Sequence, residues 1–275
     1  MSDAGTDDRD WGAEVGARTV ARRQAAARWR ALPAQFLGQL ATDPSPAVRR
    51  TLAARHDLPA DVRALLIRDR DRHVRRVGAG NRTADQATLL AALGDEDFRV
   101  RWAAVDNPRC DDVVRRAACD SDDPVVRKKV AEVQGLAREF SDRLLTDPDR
   151  DVRAQLSHRT TDLDVLARAV ESEDWVLRLG ATQNPLLSDA QRRRLARDRN
   201  HRVRSTLVLM KAALPEDLEL LARDRSSNVR FYVAISKQAE DRVLEILARD
   251  SDEVVRGHAE HHLADRQWAA RRNRR

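Results

Sequence analysis

Lysine is nearly missing from this basic chain. Of its 51 cationic Lys and Arg side chains only four are lysine (Lys128, Lys129, Lys211 and Lys237), and 47 are arginine. Aromatic residues make up only 4% of the chain, so its cores must be built from Ala, Leu and Val. Two cysteines, Cys110 and Cys119, cannot complete a four-ligand zinc or iron–sulfur site, and no histidine stands beside them at ligand spacing. They read as reduced thiols. No apolar run approaches the ~18 residues of a membrane span. The N-terminal stretch MSDAGTDDRDWGAEV lacks the basic-then-apolar order of a signal peptide. A cytoplasmic protein with no membrane partner is expected. Glycine-rich phosphate loops, a nucleophile elbow and paired Cys/His or Ser/His motifs are all missing. Neither enzymatic activity nor a cofactor or metal is therefore expected.

What is present is a period. Arginine returns at Arg49, Arg75, Arg101, Arg127, Arg153, Arg178, Arg204, Arg230 and Arg256, in steps of 26 residues except for one of 25 between Arg153 and Arg178. Each follows a branched apolar residue, such as Val48, Val152 or Leu177. Six residues upstream stands Asp43, Asp69, Asp95, Asp147, Asp198, Asp224 or Asp250. Ser121 and Ser172 take that place in two units, with acids beside them: Asp120 and Asp122, Glu171 and Glu173. A fixed period of this length marks a stacked repeat array.

One unit, residues 40–65, shows the local logic. Asp43-Pro44 is a helix start, with Asp as cap and Pro at the first helical position. Val48 and Leu52 are four apart and share a helical face. Leu58-Pro59 opens a second helix whose stripe is Val62, Leu65 and Leu66. Other units turn at Asn-Pro, as at Asn107-Pro108 and Asn184-Pro185. Helices shorter than ~12 residues are marginal alone, so each must bury its stripe against the next unit. Stability is then a sum over neighbouring interfaces. Gly78 and Gly180, inside helices, are expected soft points costing about 1 kcal/mol each relative to Ala.

The texture Leu-Ala-x-Asp-Pro-x-x-x-Val-Arg-x-x-x-Ala-x-Asn-Pro, best seen in residues 145–153 and 103–108, resembles the leucine-rich repeat variant family. The Asp and Arg six apart also resemble the pair of HEAT repeats. This resemblance implies an all-α, right-handed α-solenoid of about nine two-helix repeats plus end caps. Some members of the family carry a cysteine-rich iron–sulfur module; no cysteine precedes Cys110, so that cofactor is not carried over. The expected organisation is a disordered acidic N-terminus (1–15), one repeat solenoid (16–265) whose residues 16–39 form a degenerate capping repeat, and a basic C-terminal tail (266–275) with Arg271, Arg272, Arg274 and Arg275.

Two readings compete for the arginine ladder: repeat-to-repeat pairing with the periodic acids, or a rail gripping phosphates. Arginine's planar fork suits partly buried pairing, and the periodic acids neutralise a rail. Recognition is better sought off the period. Arg197, Arg199, Arg223, Arg225 and Arg249 precede or flank the caps of the last units, and Arg192, Arg193, Arg194 and Arg202 thicken that candidate binding edge. Trp102 and Trp175 are candidate aromatic contacts, considered together with Phe231 and Tyr232, without forming a repeat stripe. His258, His261 and His262 read as end-cap histidines and not as a metal site. The expected function is a non-enzymatic scaffold presenting a solenoid surface to a protein or peptide, acting as a monomer. The alternative is a nucleic-acid binder using the basic edge, with a HEAT-like DNA glycosylase as the remote case.

Overall fold

A computed structural model of the chain describes residues 10–272. All regular structure among these residues is helical, with no strand. By its contacts the chain falls into two compact units, Met1–Val130 and Ala131–Arg275. The first unit runs α1 (Trp11–Val15), α2 (Val20–Arg28), a 3-10 turn at Ala34–Phe36, α3 (Leu37–Ala41), α4 (Pro46–Ala53), α5 (Ala60–Leu66), α6 (Arg72–Ala79), α7 (Gln86–Leu93), α8 (Phe98–Val105), α9 (Asp112–Cys119) and α10 (Pro124–Val130). The second runs α11 (Arg138–Leu145), α12 (Arg150–Arg159), α13 (Leu163–Glu171), α14 (Trp175–Ala181), α15 (Asp189–Ala196), α16 (His201–Leu209), α17 (Pro215–Leu221), α18 (Ser227–Ala234), α19 (Asp241–Leu247) and α20 (Glu253–Arg272).

Within each unit the helices form two layers. In the first unit α2, α4, α6, α8 and α10 pack in succession, and α3, α5, α7 and α9 back them. In the second, α12, α14, α16, α18 and α20 make the corresponding row, backed by α11, α13, α15, α17 and α19. The row helices carry the periodic Val-Arg pairs, and their valines are fully buried: Val48, Val74, Val100, Val126, Val152, Val203 and Val229. Their one-face stripes are too short to hold a lone helix, so packing on the neighbour supplies the stability.

The helix starts differ from the sequence reading. Asp43 does not cap α4; its carboxylate accepts the backbone N–H of Ser45 at 2.8 Å, and Ser45 is the N-cap. The same two-residue offset recurs, so the capping residues are Asp71, Asp97, Asp149, Asp174, Asn200 and Ser226. The periodic Asp thus makes an Asx-type turn ahead of the cap, which leaves its second oxygen for another partner.

Two expectations about the ends are corrected. Helix α1 buries Trp11 and Val15, so order begins well before residue 16; residues 1–9 lie outside the described residues. The expected tail from 266 is instead the continuation of α20 to Arg272, while Arg274 and Arg275 lie outside the described residues. No helix among the described residues is long and apolar enough to cross a membrane.

Gly180 departs from the soft-point expectation. A Cβ there would lie 2.2 Å from the Ala154 carbonyl oxygen, so glycine is what lets α14 approach α12. This is the 25-residue step. Gly78 meets nothing closer than 3.9 Å and remains a simple helix weakener.

Candidate functional site

The ladder arginines run from repeat to repeat. Arg49 donates through Nε to Asp69 Oδ2 at 2.6 Å and through Nη2 to Asp69 Oδ1 at 2.9 Å. Its Nη1 donates to the Asp43 backbone carbonyl, six residues upstream. The bidentate partner is therefore the acid of the next unit, and the upstream acid contributes its carbonyl. Arg75–Asp95, Arg178–Asp198, Arg204–Asp224 and Arg230–Asp250 repeat the fork. The degenerate first repeat joins the ladder too, since Arg23 forks onto Asp43 at 2.6 and 3.1 Å. Arg256, at the far end, donates to the Asp250 carbonyl and meets no carboxylate among the described residues.

The two serine positions show what the aspartate supplies. Ser121 and Ser172 still accept the i+2 backbone N–H, at 3.2 and 3.1 Å, but offer no carboxylate. Asp123, two residues after Ser121, pairs with Arg101, and Asp174, two residues after Ser172, pairs with Arg153. Arg101 binds Asp123 through Nη2 alone, and its Nε is buried with no partner among the described residues.

Charge follows this geometry. The guanidinium of Arg230 holds the Asp250 carboxyl below the ordinary carboxylate range. Burial pushes the Asp224 carboxyl up, but Arg204 and the Ser226 N–H outweigh it and leave the pKa lowered. Hydrogen bonding to the partner acids raises Arg49, Arg75, Arg178 and Arg230 above the ordinary guanidinium value.

A second ladder, missed from sequence, ties the opposite turns. Asn81 donates through Nδ2 to the carbonyls of Ala53 and Arg55. Asn107 does so to Ala79 and Asn81, and Asn184 to Ser157 and Thr160. Each Oδ1 accepts the N–H two residues on. The recurring Asn-Pro turn was its signal.

The candidate basic edge is largely neutralised. Arg199 pairs with Glu173, Arg194 with Glu171, Arg193 with Glu216, Arg197 with Asp217 and Arg223 with Glu219. Arg192 and Arg225 donate to backbone carbonyls of Ala212 and Arg199. Arg202 lies over the Trp175 ring at 5.6 Å. Of this set, the Arg202 and Arg249 guanidinium groups make no ion pair or hydrogen bond among the described residues. Glu171 and Glu173, the acids flanking Ser172, are counterions of this edge.

Trp102 and Trp175 are half-buried and locally occupied. Trp102 meets Phe98 edge-on at 5.0 Å, carries the Lys129 ammonium over its ring, and donates to the Val125 carbonyl. His258 packs edge-on against Phe231, and His262 Nδ1 sits 3.1 Å from the Ala234 carbonyl. Among the described residues no three His, Cys, Asp or Glu side chains group as metal ligands would. Cys110 and Cys119 are buried and form no disulfide, and burial pushes the Cys110 thiol up.

One cleft of the second unit stands apart, of about 280 Å³ and with no acid in its lining. Leu209, Tyr232 and Ile235 form its apolar wall, and Lys211, Lys237 and Gln238 rim it. Leu209 is 45% and Ile235 41% exposed, and neighbouring Met210 is 44% exposed. Leu209 and Ile235 are 26 apart, as are Lys211 and Lys237, so the cleft spans equivalent places in consecutive repeats. Sequence inspection passed over it because the ladder drew attention to arginine; the signal was that two of four lysines share one register.

The fold defines a helical repeat protein. A solved structure titled as a leucine-rich repeat variant with a novel repetitive protein structural motif is similar to this chain, at 24% identity and a TM-score of 0.47, over 82% of this chain and 79% of that one. No protein-family model and no curated protein matches the chain.

Proposed function

We propose that this chain is a non-enzymatic interaction protein whose second unit binds a protein or peptide. The observation carrying this reading is the contrast between edge and cleft. Five of the nine arginines of the candidate edge are matched by glutamates or aspartates, whereas Leu209 and Ile235 are exposed at the cleft. A surface gripping a phosphate backbone needs uncompensated cations, because counterion release supplies the affinity. Exposed apolar side chains grouped at a cleft are the mark of a protein-binding surface. The ladder arginines are engaged in the fold itself, and the chain is read as a cytoplasmic monomer.

Two assays separate this reading from the nucleic-acid alternative. Fluorescence anisotropy with duplex and single-stranded DNA and RNA, titrated in salt, should show no binding near 150 mM. Selection of a random displayed-peptide library on the full-length chain should return a consensus that binds it as a free peptide. Tight nucleic-acid binding that falls steeply with salt, together with a library that yields no binder, would overturn the proposal.

A further inference from the structure

We infer that the Leu209–Ile235 cleft takes an extended peptide segment in which large apolar side chains are flanked by carboxylates. This rests on the protein-binding reading and names the chemistry of the partner.

Three independent observations converge on it. The first is charge. Most exposed arginines of this unit's edge have a carboxylate or a carbonyl, yet neither the Lys211 nor the Lys237 ammonium has an ion-pair partner among the described residues. Lysine differs from arginine in kind here. Its ammonium is a mobile point charge on a flexible stem, suited to a partner that arrives, whereas the guanidinium fork suits fixed pairs. The partner should therefore bring anionic groups, and its apolar part should fill the wall formed by Leu209, Tyr232 and Ile235.

The second is backbone strain. The turn after α16 lacks the asparagine clamp: Met210 stands where Asn184 stands one repeat earlier. A Schellman closure replaces it, with Lys211 N–H donating to the Val208 carbonyl and Ala212 N–H to the Leu207 carbonyl, both at 2.9 Å. That closure puts Lys211 at φ 59°, the one non-glycine residue with positive φ among those described. Glycine is the residue that takes this conformation without penalty. A charged side chain held there against its backbone preference, at the rim of an apolar cleft, points to a task for the charge.

The third is an orphan acceptor. Gln238 Oε1 is buried with no hydrogen-bond partner among the described residues, while its Nε2 donates to the Lys211 carbonyl. A peptide backbone N–H entering the cleft would satisfy it.

Spacing sets the ligand register. Neighbouring packed helices lie roughly 10 Å apart, which a chain in the extended polyproline-II form covers in about three residues, one full turn, so that residues three apart share a face. Acids should then stand three residues apart with the apolar pair between them. The test uses the full-length chain and a fluorescein-labelled peptide Gly-Ser-Glu-Leu-Phe-Glu-Ser-Gly, against versions with Lys for both Glu, or Ser for Leu and Phe. The parent peptide should bind, and both substituted versions should bind at least ten-fold more weakly. Ile235→Asp should weaken the parent at least ten-fold. Lys237→Glu with Lys211→Glu should invert the preference in favour of the Lys peptide. Lys211→Gly should lower affinity about three-fold, the scale of one exposed charge pair, while raising the melting temperature, an opposition that damage to the fold would not produce. Equal binding of the three peptides, no binding up to millimolar concentration, or affinity unmoved by Ile235→Asp and the Glu pair would overturn the inference. A library consensus lacking acids, or one insensitive to these variants, would leave the protein-binding reading standing and remove this one. Failure of library and designed peptides alike would remove both.

Discussion

Replacing Arg178 by alanine should destabilise the second unit far more than replacing Arg199, although both are arginines of the same face. Arg178 and Asp198 are 6% and 5% exposed at the side chain, joined by Nε–Oδ2 and Nη2–Oδ1 bonds. Arg178 also satisfies the carbonyls of Ser172 and Glu173 at 2.7 and 3.0 Å. Its removal strands a buried carboxylate that keeps only the Asn200 N–H. Breaking a buried pair by deleting one partner costs about 3–5 kcal/mol. At roughly 2–4 °C per kcal/mol for a chain of this size, the melting temperature should fall by on the order of 10 °C. Arg199 and Glu173 are 67% and 90% exposed, and such a pair is worth about 0–1 kcal/mol. The double variant Arg178→Leu with Asp198→Leu should recover most of the loss, because no charge is then left buried. Thermal unfolding followed by circular dichroism measures all four proteins. Equal effects of Arg178→Ala and Arg199→Ala, or a double variant worse than Arg178→Ala, would refute the assignment of the ladder to repeat locking.

Other outcomes follow from the same geometry. Gly180→Ala should be destabilising by about 1–3 kcal/mol, since its Cβ meets the Ala154 backbone, whereas Gly78→Ala should stabilise by about 0.5–1 kcal/mol; denaturant midpoints of the two variants should therefore move in opposite directions. Ser121→Asp should raise the unfolding free energy by about 1 kcal/mol, seen as a higher denaturant midpoint, because it offers the orphaned Arg101 Nε the carboxylate that other rungs possess. Acid should weaken the fold: the carboxyls of Asp224 and Asp250 are lowered, and that of Asp85 is lowered to about 2, chiefly by the Thr88 hydroxyl. Depressed folded-state values stabilise fully above the unfolded carboxylate pKa near ~3.9 and lose that contribution as pH falls toward 2. Midpoints measured from pH 5 to pH 2 should decline throughout, and the decline should be shallower in Asp85→Asn.

The repeat was legible because its period is carried by side chains that the fold engages directly. Val48 and its equivalents are buried, and arginines after them such as Arg49, Arg75, Arg178, Arg204 and Arg230 span to the next repeat. The direction of pairing was not legible, since an acid six upstream and one twenty downstream are equally periodic; only helix stacking decides which carboxylate Arg49 reaches. The capping residue was misplaced by two for a similar reason. Asp43-Pro44 looks like a helix start, but the Asx turn places Ser45 at the cap. Gly180 was read by helix propensity alone, which ignores the backbone of α12 behind it. The basic edge appeared in sequence without its counterions, because Glu173 and Glu171 lie 26 and 23 residues from their arginines and meet them only when the repeats stack. The cleft was hidden by its small count of residues and by the burial of Val208 beside the exposure of Leu209, which no periodicity distinguishes.

The central claim is that the periodic arginines hold repeats together and that a partner engages the place where the pattern changes. Hydrogen–deuterium exchange of the full-length chain, with and without the acidic Leu-Phe peptide, tests it most directly. The account predicts added protection confined to residues 207–213 and 231–238, with exchange around Arg153, Arg178 and Arg204 unchanged. Protection spread along the arginine face, with none at the cleft, would contradict it.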